Sequence, residues 1–163
     1  MRAYWLNKER PLDATDALDA ATLKANNVTY RALPIANHEP ELEAFMAAQG
    51  YVVRDEVQLN ADTPDLAATL AKFDAEHLHT DDEVRYVLEG EGIFDIRSND
   101  DRWMRVIVEV GDLISVSKSR HHRFLLTDQC AIRCARLFVD ASGWTPHYRT
   151  SAQGEPANHS EDA

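Results

Sequence analysis

From residue 83 onward the apolar residues gather in short runs. The segments 83–88, 92–97, 103–108, 112–117, 121–127 and 131–139 are rich in Val, Ile, Phe, Leu and Tyr. Turn-forming clusters separate several of them: Glu89-Gly90-Glu91-Gly92, Ser98-Asn99-Asp100-Asp101, Val110-Gly111-Asp112 and Thr127-Asp128-Gln129. Many short strands at this spacing predict an all-β sandwich or barrel. The first seventy or so residues read differently. Short strands are expected at 2–6, at Val28-Thr29-Tyr30 and over 51–59, with three helix candidates among them. Residues 11–26 carry Leu12, Leu18 and Leu23 among alanines and aspartates. Glu41 to Gln49 has Pro40 near its first turn and Gly50 at its C-cap. The third helix opens at Pro64, capped by Asp62 or Thr63, and carries Leu66, Leu70 and Phe73. The expected architecture is an all-β barrel with a few peripheral N-terminal helices. Residues 1–150 are expected to form one domain and 151–163 a polar tail.

Composition narrows the partners. A length of 163 residues with 44% hydrophobic residues suits one domain with its own core. The formal net charge of -11 disfavours nucleic acid and anionic lipid. The only dense basic cluster is Lys118, Arg120 and Arg123. No apolar run approaches the roughly 18 residues that span a bilayer, and the N-terminus lacks the apolar stretch of a signal peptide. Cys130 and Cys134 are four apart. On one strand that separation is roughly 13 Å, too far for a disulfide. Two free thiols suit a reducing compartment, and the cytoplasm is the expected one.

The candidate chemistry lies in the stretch FDAEHLHTDDEVRYVLEGEG, residues 73–92. His77 and His79 share a face on a strand, and Glu83 and Arg85 have the same parity. Val84, Tyr86 and Leu88 take the opposite parity and suit a hydrophobic layer. Imidazole nitrogen with carboxylate oxygen is a donor set for iron, nickel, manganese, cobalt or zinc, and no thiolate belongs to the cluster. A further ligand must come from a distant strand. His121 and His122 are adjacent, so one faces the interior and the other faces out, and parity alone does not decide which. Single histidines in soluble proteins are mostly structural, and His38, His147 and His159 are read that way.

The combined pattern resembles the cupin signature. His77, His79, Glu83 and Gly90 match its first motif, with Ala71 in place of the opening glycine. Gly111 and His122 match its second, with Ser117, Ser119 and Leu126 where the motif has Pro, Gly and Asn. The text EHLHTDDEVRYVLEGEGIFDIR, then VGDLISV, HHRFLL and RLFVDASGWTPHYR, is similar to the acireductone dioxygenase family from about Tyr51 to Arg149. The resemblance implies a cupin jelly roll. It implies one Fe(2+) or Ni(2+) per chain on His77, His79, Glu83 and His122. It also implies oxidative cleavage of an acireductone by dioxygen in methionine salvage. In that family an arginine matching Arg85 is proposed to orient the substrate, and Arg85 and Glu83 are the expected catalytic residues. The alternative for Arg85 is a plain ion pair with Glu83 or Asp82. Asp82 is a candidate to orient a ligand imidazole from behind. Phe73, Tyr86 and Trp144 are candidates for an apolar lining of the substrate pocket, with plain core as the equal alternative on composition, and the resemblance favours Phe73 and Trp144 as lining. The expected partners are small molecules, acireductone and dioxygen, with the protein a monomer. The rival readings are a metal-dependent cupin of another reaction class and a non-enzymatic binding barrel.

Overall fold

In the computed structural model, which describes residues 1–6 and 17–150, the elements run β1 (Arg2–Trp5), α1 (Ala20–Ala25), β2 (Val28–Ala32), α2 (His38–Gln49), β3 (Val53–Leu59), α3 (Leu66–Asp74), β4 (His77–Leu78), β5 (Glu83–Arg97), β6 (Trp103–Glu109), β7 (Asp112–Val116), β8 (His122–Leu126), β9 (Ile132–Phe138) and β10 (His147–Tyr148). Two antiparallel sheets result. One is ordered β1-β6-β5-β8-β4-β10, the other β2-β7-β5-β9-β3. Strand β5 belongs to both. Its first half pairs with β7 and β9, and from Glu91 on it pairs with β6 and β8. The two sheets form the expected jelly roll. Hydrogen bonding does not close them into a full ring among the described residues, because β5 alone links them.

The sequence splits β5 into two strands with a turn at residues 89–92. The structure shows one bent strand instead. Its register shifts between Val87 and Glu89, and Gly90 stands at φ 72. The extra residue bends the strand from one sheet into the other without reversing it. Glycine signals a turn and a bulge alike, so the local sequence could not separate them.

The apolar runs are nearly continuous because both faces of several strands are covered. Residues 83 to 88 of β5 are all buried. Val84, Tyr86 and Leu88 pack with Leu42 and Phe45 of α2 and with Leu113 and Leu137. Phe94, Ile96, Met104, Val106, Ile114 and Phe124 belong to the other cluster, shared with Val28 and Leu23. Arg123, part of the basic cluster, is not a surface charge. It is buried and donates to Asp95 at 2.9 Å, while Arg105 holds the same carboxylate at 2.7 and 2.8 Å. A charge so enclosed requires such partners.

The helices differ in their bounds. The first begins at Ala20, where Asp19 accepts from the Thr22 amide at 2.7 Å. Its expected start over 11–16 lies outside the described residues. The second opens at His38 with Pro40 in its first turn and ends on Gly50 at φ 80, as its glycine requires. The third starts at Leu66, two residues after Pro64, with Asp65 as N-cap. Strand β10 has only two residues and was not foreseen. Cys130 and Cys134 are unbridged. The polar tail and His159 fall outside the described residues.

Candidate metal centre

Three separate elements deliver the four groups. β4 pairs with β8 so that His77 lies opposite His122. His79 follows directly after β4, and Glu83 opens β5. All four side chains are buried, and one ligand atom from each lies within 4.8 Å of all the others. His122 and His79 place Nε2 at 2.9 and 3.0 Å from the same oxygen, Glu83 Oε2.

The opposite edge of each ring shows what those atoms are for. His77 Nδ1 meets Ala75 O at 2.7 Å, His79 Nδ1 meets Thr145 O at 2.9 Å, and His122 Nδ1 meets Arg120 O at 2.8 Å. A carbonyl only accepts, so each Nδ1 carries the hydrogen and a neutral ring keeps its Nε2 lone pair bare. Bare nitrogens facing a carboxylate oxygen at such distances repel unless a cation lies among them. Metal bonds of about 2.1 Å at right angles put neighbouring donors about 3.0 Å apart, which these spacings match. The donor set therefore fits a divalent transition ion.

Protonation tells the same story. Burial, then the charge of His122, pushes His77 down to about 4. Burial also works against the His79 cation, but the hydrogen bond and charge of Glu83 outweigh it and raise that pKa. Burial alone would raise Glu83; Arg85 and His122 instead hold it well below the usual carboxylate range. Glu83 thus favours a proton on His79, in competition with a metal ion at the same nitrogen. Because Glu83 raises the His79 pKa, proton competition should begin above the ordinary imidazole range, and apparent metal affinity should keep falling as pH drops further, by up to about tenfold per unit for one displaced proton. Competition titrations against a chelator at several pH values read this directly; a flat profile between pH 5 and 7 would refute it.

A cavity of about 150 Å³ opens over the four groups and is lined by Phe73, Phe124, Trp144, Pro146 and Tyr148, with Lys72 and Arg136 also on its wall. Arg85 is both paired and open to the cavity. Its Nε donates to Glu83 Oε1 at 2.6 Å, and it lines the cavity. Its guanidinium carbon lies 5.5 to 6.0 Å from the ring centres of Trp144, Phe124 and Phe94. Phe73 and Trp144 are on the wall as expected.

Two expectations need correction. Tyr86 does not reach the cavity. It has the opposite parity to Arg85, its hydroxyl donates to Leu33 O at 2.8 Å, and its ring stacks on His38 at 5.2 Å. Asp82 orients no imidazole, since backbone carbonyls occupy every Nδ1. It accepts from the Lys118 amide at 2.9 Å and from the Tyr51 hydroxyl at 3.2 Å. It thereby braces the turn that precedes His122. In that turn Ser119 stands at φ 62, where the cupin motif has glycine, and its amide donates to His79 O at 2.8 Å. The turn keeps its left-handed residue without the glycine.

Of the paired histidines, His122 is the one that turns inward; His121 lies on the outer side, near Glu76, Asp101 and Arg149. His147 is exposed. The reading of the sequence missed Phe124 as lining, although its parity with His122 was a usable signal. It also missed Pro146, Tyr148 and the Thr145 carbonyl, which lie in a stretch without periodicity.

Comparison with known proteins agrees with this geometry. The model of the ARD/ARD' family matches residues 6–146. The chain is 40% identical over 146 residues to the acireductone dioxygenase of Heterostelium pallidum, covering 90% of this chain and 96% of that one. It is 37% identical over 141 residues to that of Gallus gallus, covering 85% and 78%. Among solved structures, acireductone dioxygenase from Bacillus anthracis with cadmium ion in its active center superposes with a TM-score of 0.80 at 29% identity, covering 91% of this chain and 98% of that one. With the family model spanning most of its length, the chain belongs to the ARD/ARD' family, that of the acireductone dioxygenases.

Proposed function

We propose that the protein is the acireductone dioxygenase of methionine salvage. Its substrates are 1,2-dihydroxy-3-keto-5-methylthiopentene and dioxygen. The observation that carries the reading is a single cavity floored by three imidazoles and a carboxylate, flanked by a buried arginine and walled by aromatic rings. His77, His79, Glu83 and His122 would hold iron(II) or nickel(II), which would supply Lewis acidity and the electronic means to engage dioxygen.

The chain's own residues do the rest. Three neutral imidazoles and one carboxylate leave a divalent centre at formal charge +1, and Arg85 adds another positive charge at its side. An enediolate is drawn to that field, which the aromatic part of the wall strengthens by lowering the local polarity. The Arg85–Glu83 hydrogen bond fixes the guanidinium, so the remaining donors are already aimed when substrate enters. Phe73, Phe124 and Trp144 take the methylthio tail by apolar burial. All four ligands come from one chain, which supports a monomeric catalyst. No helix among the described residues is long and apolar enough to cross a membrane, and the unbridged cysteines support a cytoplasmic location.

Iron-loaded protein is expected to give 4-methylthio-2-oxobutanoate and formate. Nickel-loaded protein is expected to give methylthiopropionate, formate and carbon monoxide. The test follows ultraviolet loss of acireductone under oxygen with each metal and assays the headspace for carbon monoxide. Iron-loaded protein that binds metal tightly and leaves acireductone untouched would assign the chain to another cupin chemistry.

A further inference from the structure

The segment that closes the cavity is held on by very little burial. Strand β10 is two residues long, both exposed, and among the described residues it pairs with β4 alone. Yet its surroundings supply three parts of the site. Thr145 O accepts from His79 Nδ1 at 2.9 Å. Trp144 stacks on the His79 ring at 6.0 Å. Tyr148 packs edge-on to His77 at 5.8 Å.

What fastens this segment is Arg149. Its amide donates to Glu76 O at 2.8 Å. Its Nη1 donates to Glu76 Oε1 at 2.7 Å and to Asp101 Oδ1 at 3.0 Å, and its Nη2 to Asp101 Oδ2 at 3.0 Å. Glu76 is buried and immediately precedes the ligand His77. Arg97 holds the Glu76 carboxylate from the other side, through Nε and Nη2 at 3.0 Å each. The same hairpin end receives the turn before His122, because Arg120 donates to Arg97 O at 3.2 Å and to Asn99 Oδ1 at 2.7 Å. The backbones leading to His77 and His122 are therefore tied to residues 97–101, and the segment that holds the His79 ring is tied there through Arg149 and Asp101.

We propose that Arg149 is a positioning residue that latches residues 144–149 to the Glu76–Asp101 pair, so that Thr145 O fixes His79 and the cavity keeps its outer wall. The latch touches neither substrate nor ligand atoms. It acts through the Thr145 carbonyl, whose hydrogen bond sets the His79 tautomer and strengthens its Nε2 as a donor. A two-armed guanidinium clamp on two carboxylates is suited to this task, since it fixes direction as well as distance. The inference rests on the metal-centre reading of the site but not on the identity of the substrate.

Full-length Arg149→Met, Arg149→Lys and Asp101→Asn proteins test it. Asp101 sits at φ 61, a conformation that asparagine tolerates, so the third variant loosens the clamp without disturbing the turn. The readouts are nickel affinity by chelator competition and hydrogen exchange of the amides at 147–149 in metal-free protein. Arg149→Met is expected to weaken nickel binding about 10- to 100-fold and to release the 147–149 amides, while core amides of β5 and β6 stay protected. Arg149→Lys should restore part of the affinity, and Asp101→Asn should lower it to a lesser degree. Unchanged nickel affinity with 147–149 still protected would make Arg149 an ordinary surface ion pair and overturn the proposal. Loss of core protection in parallel with affinity, in both Arg149→Met and Asp101→Asn, would assign it to general stability and overturn it equally. Neither readout involves turnover, so a wrong substrate assignment would leave this result standing.

Discussion

A Glu83→Gln protein is expected to lose its metal and with it all turnover above background. Structural four-ligand sites bind with about 10–16 kcal/mol, so one ligand represents about 3–4 kcal/mol, or about two to three orders of magnitude in affinity. The amide keeps the shape and removes the charge. Two consequences follow from the geometry. The bare Nε2 atoms of His79 and His122, at 3.0 and 2.9 Å from Glu83 Oε2, lose the anion that offsets a bound ion. Arg85 loses the carboxylate at 2.6 Å that its buried charge requires. An unpaired buried charge costs about 3–5 kcal/mol, so the single variant should also be less stable. Glu83→Gln combined with Arg85→Met separates the effects: stability should return towards the parent value while metal binding does not. Elemental analysis after dialysis and thermal melts of both variants measure this. Retention of metal at parental affinity by Glu83→Gln would remove the carboxylate from the ligand set.

Gly90→Ala is expected to cause the largest loss of stability from a change of one methyl group. A Cβ there would lie 2.0 Å from Ala131 O and 2.7 Å from its carbonyl carbon. Both atoms are backbone of the residue just before β9, so the start of that strand must move. The left-handed φ of 72 adds about 1–2 kcal/mol for any side chain. Together the expected loss is about 3–5 kcal/mol, and a midpoint about 10 °C lower. Gly50→Ala is the control. Gly50 has a similar φ of 80 but nothing within 4 Å of the added Cβ, so it should cost only about 1 kcal/mol. Equal melting curves for the two alanine variants would show that close approach of β9 does not set the bend in β5. The bend matters to function because the strand that begins with Glu83 and Arg85 under the cavity continues into the sheet that carries His122.

The candidate metal-binding group was legible in the sequence because strand parity is a local property. His77, His79, Glu83 and Arg85 share a parity, and that alternation survived the short break at residues 80–82. Resemblance to the acireductone dioxygenases then chose His122 over His121, which parity left open. The strand content was legible for the same reason: short apolar runs between turn residues leave few other structures. Tyr86 shows the limit of composition. Its aromatic character suggested pocket lining, while its parity already placed it on the opposite face, which the structure covers with α2.

What the chain alone could not reveal depends on residues far apart in sequence. The partner of each ligand Nδ1 is a backbone carbonyl, and for His79 it lies 66 positions away at Thr145. Carbonyls leave no mark in side-chain identity, so a carboxylate such as Asp82 looked the better candidate. Gly90 announced a break, but whether the chain reversed or bent was decided by β9 pressing against it. The clamp of Arg149 on Glu76 and Asp101 likewise exists only once β4, the 98–101 turn and β10 have met. Side-chain chemistry and alternation are written residue by residue; the second half of each hydrogen bond, and the space a glycine must leave, belong to whichever distant strand arrives.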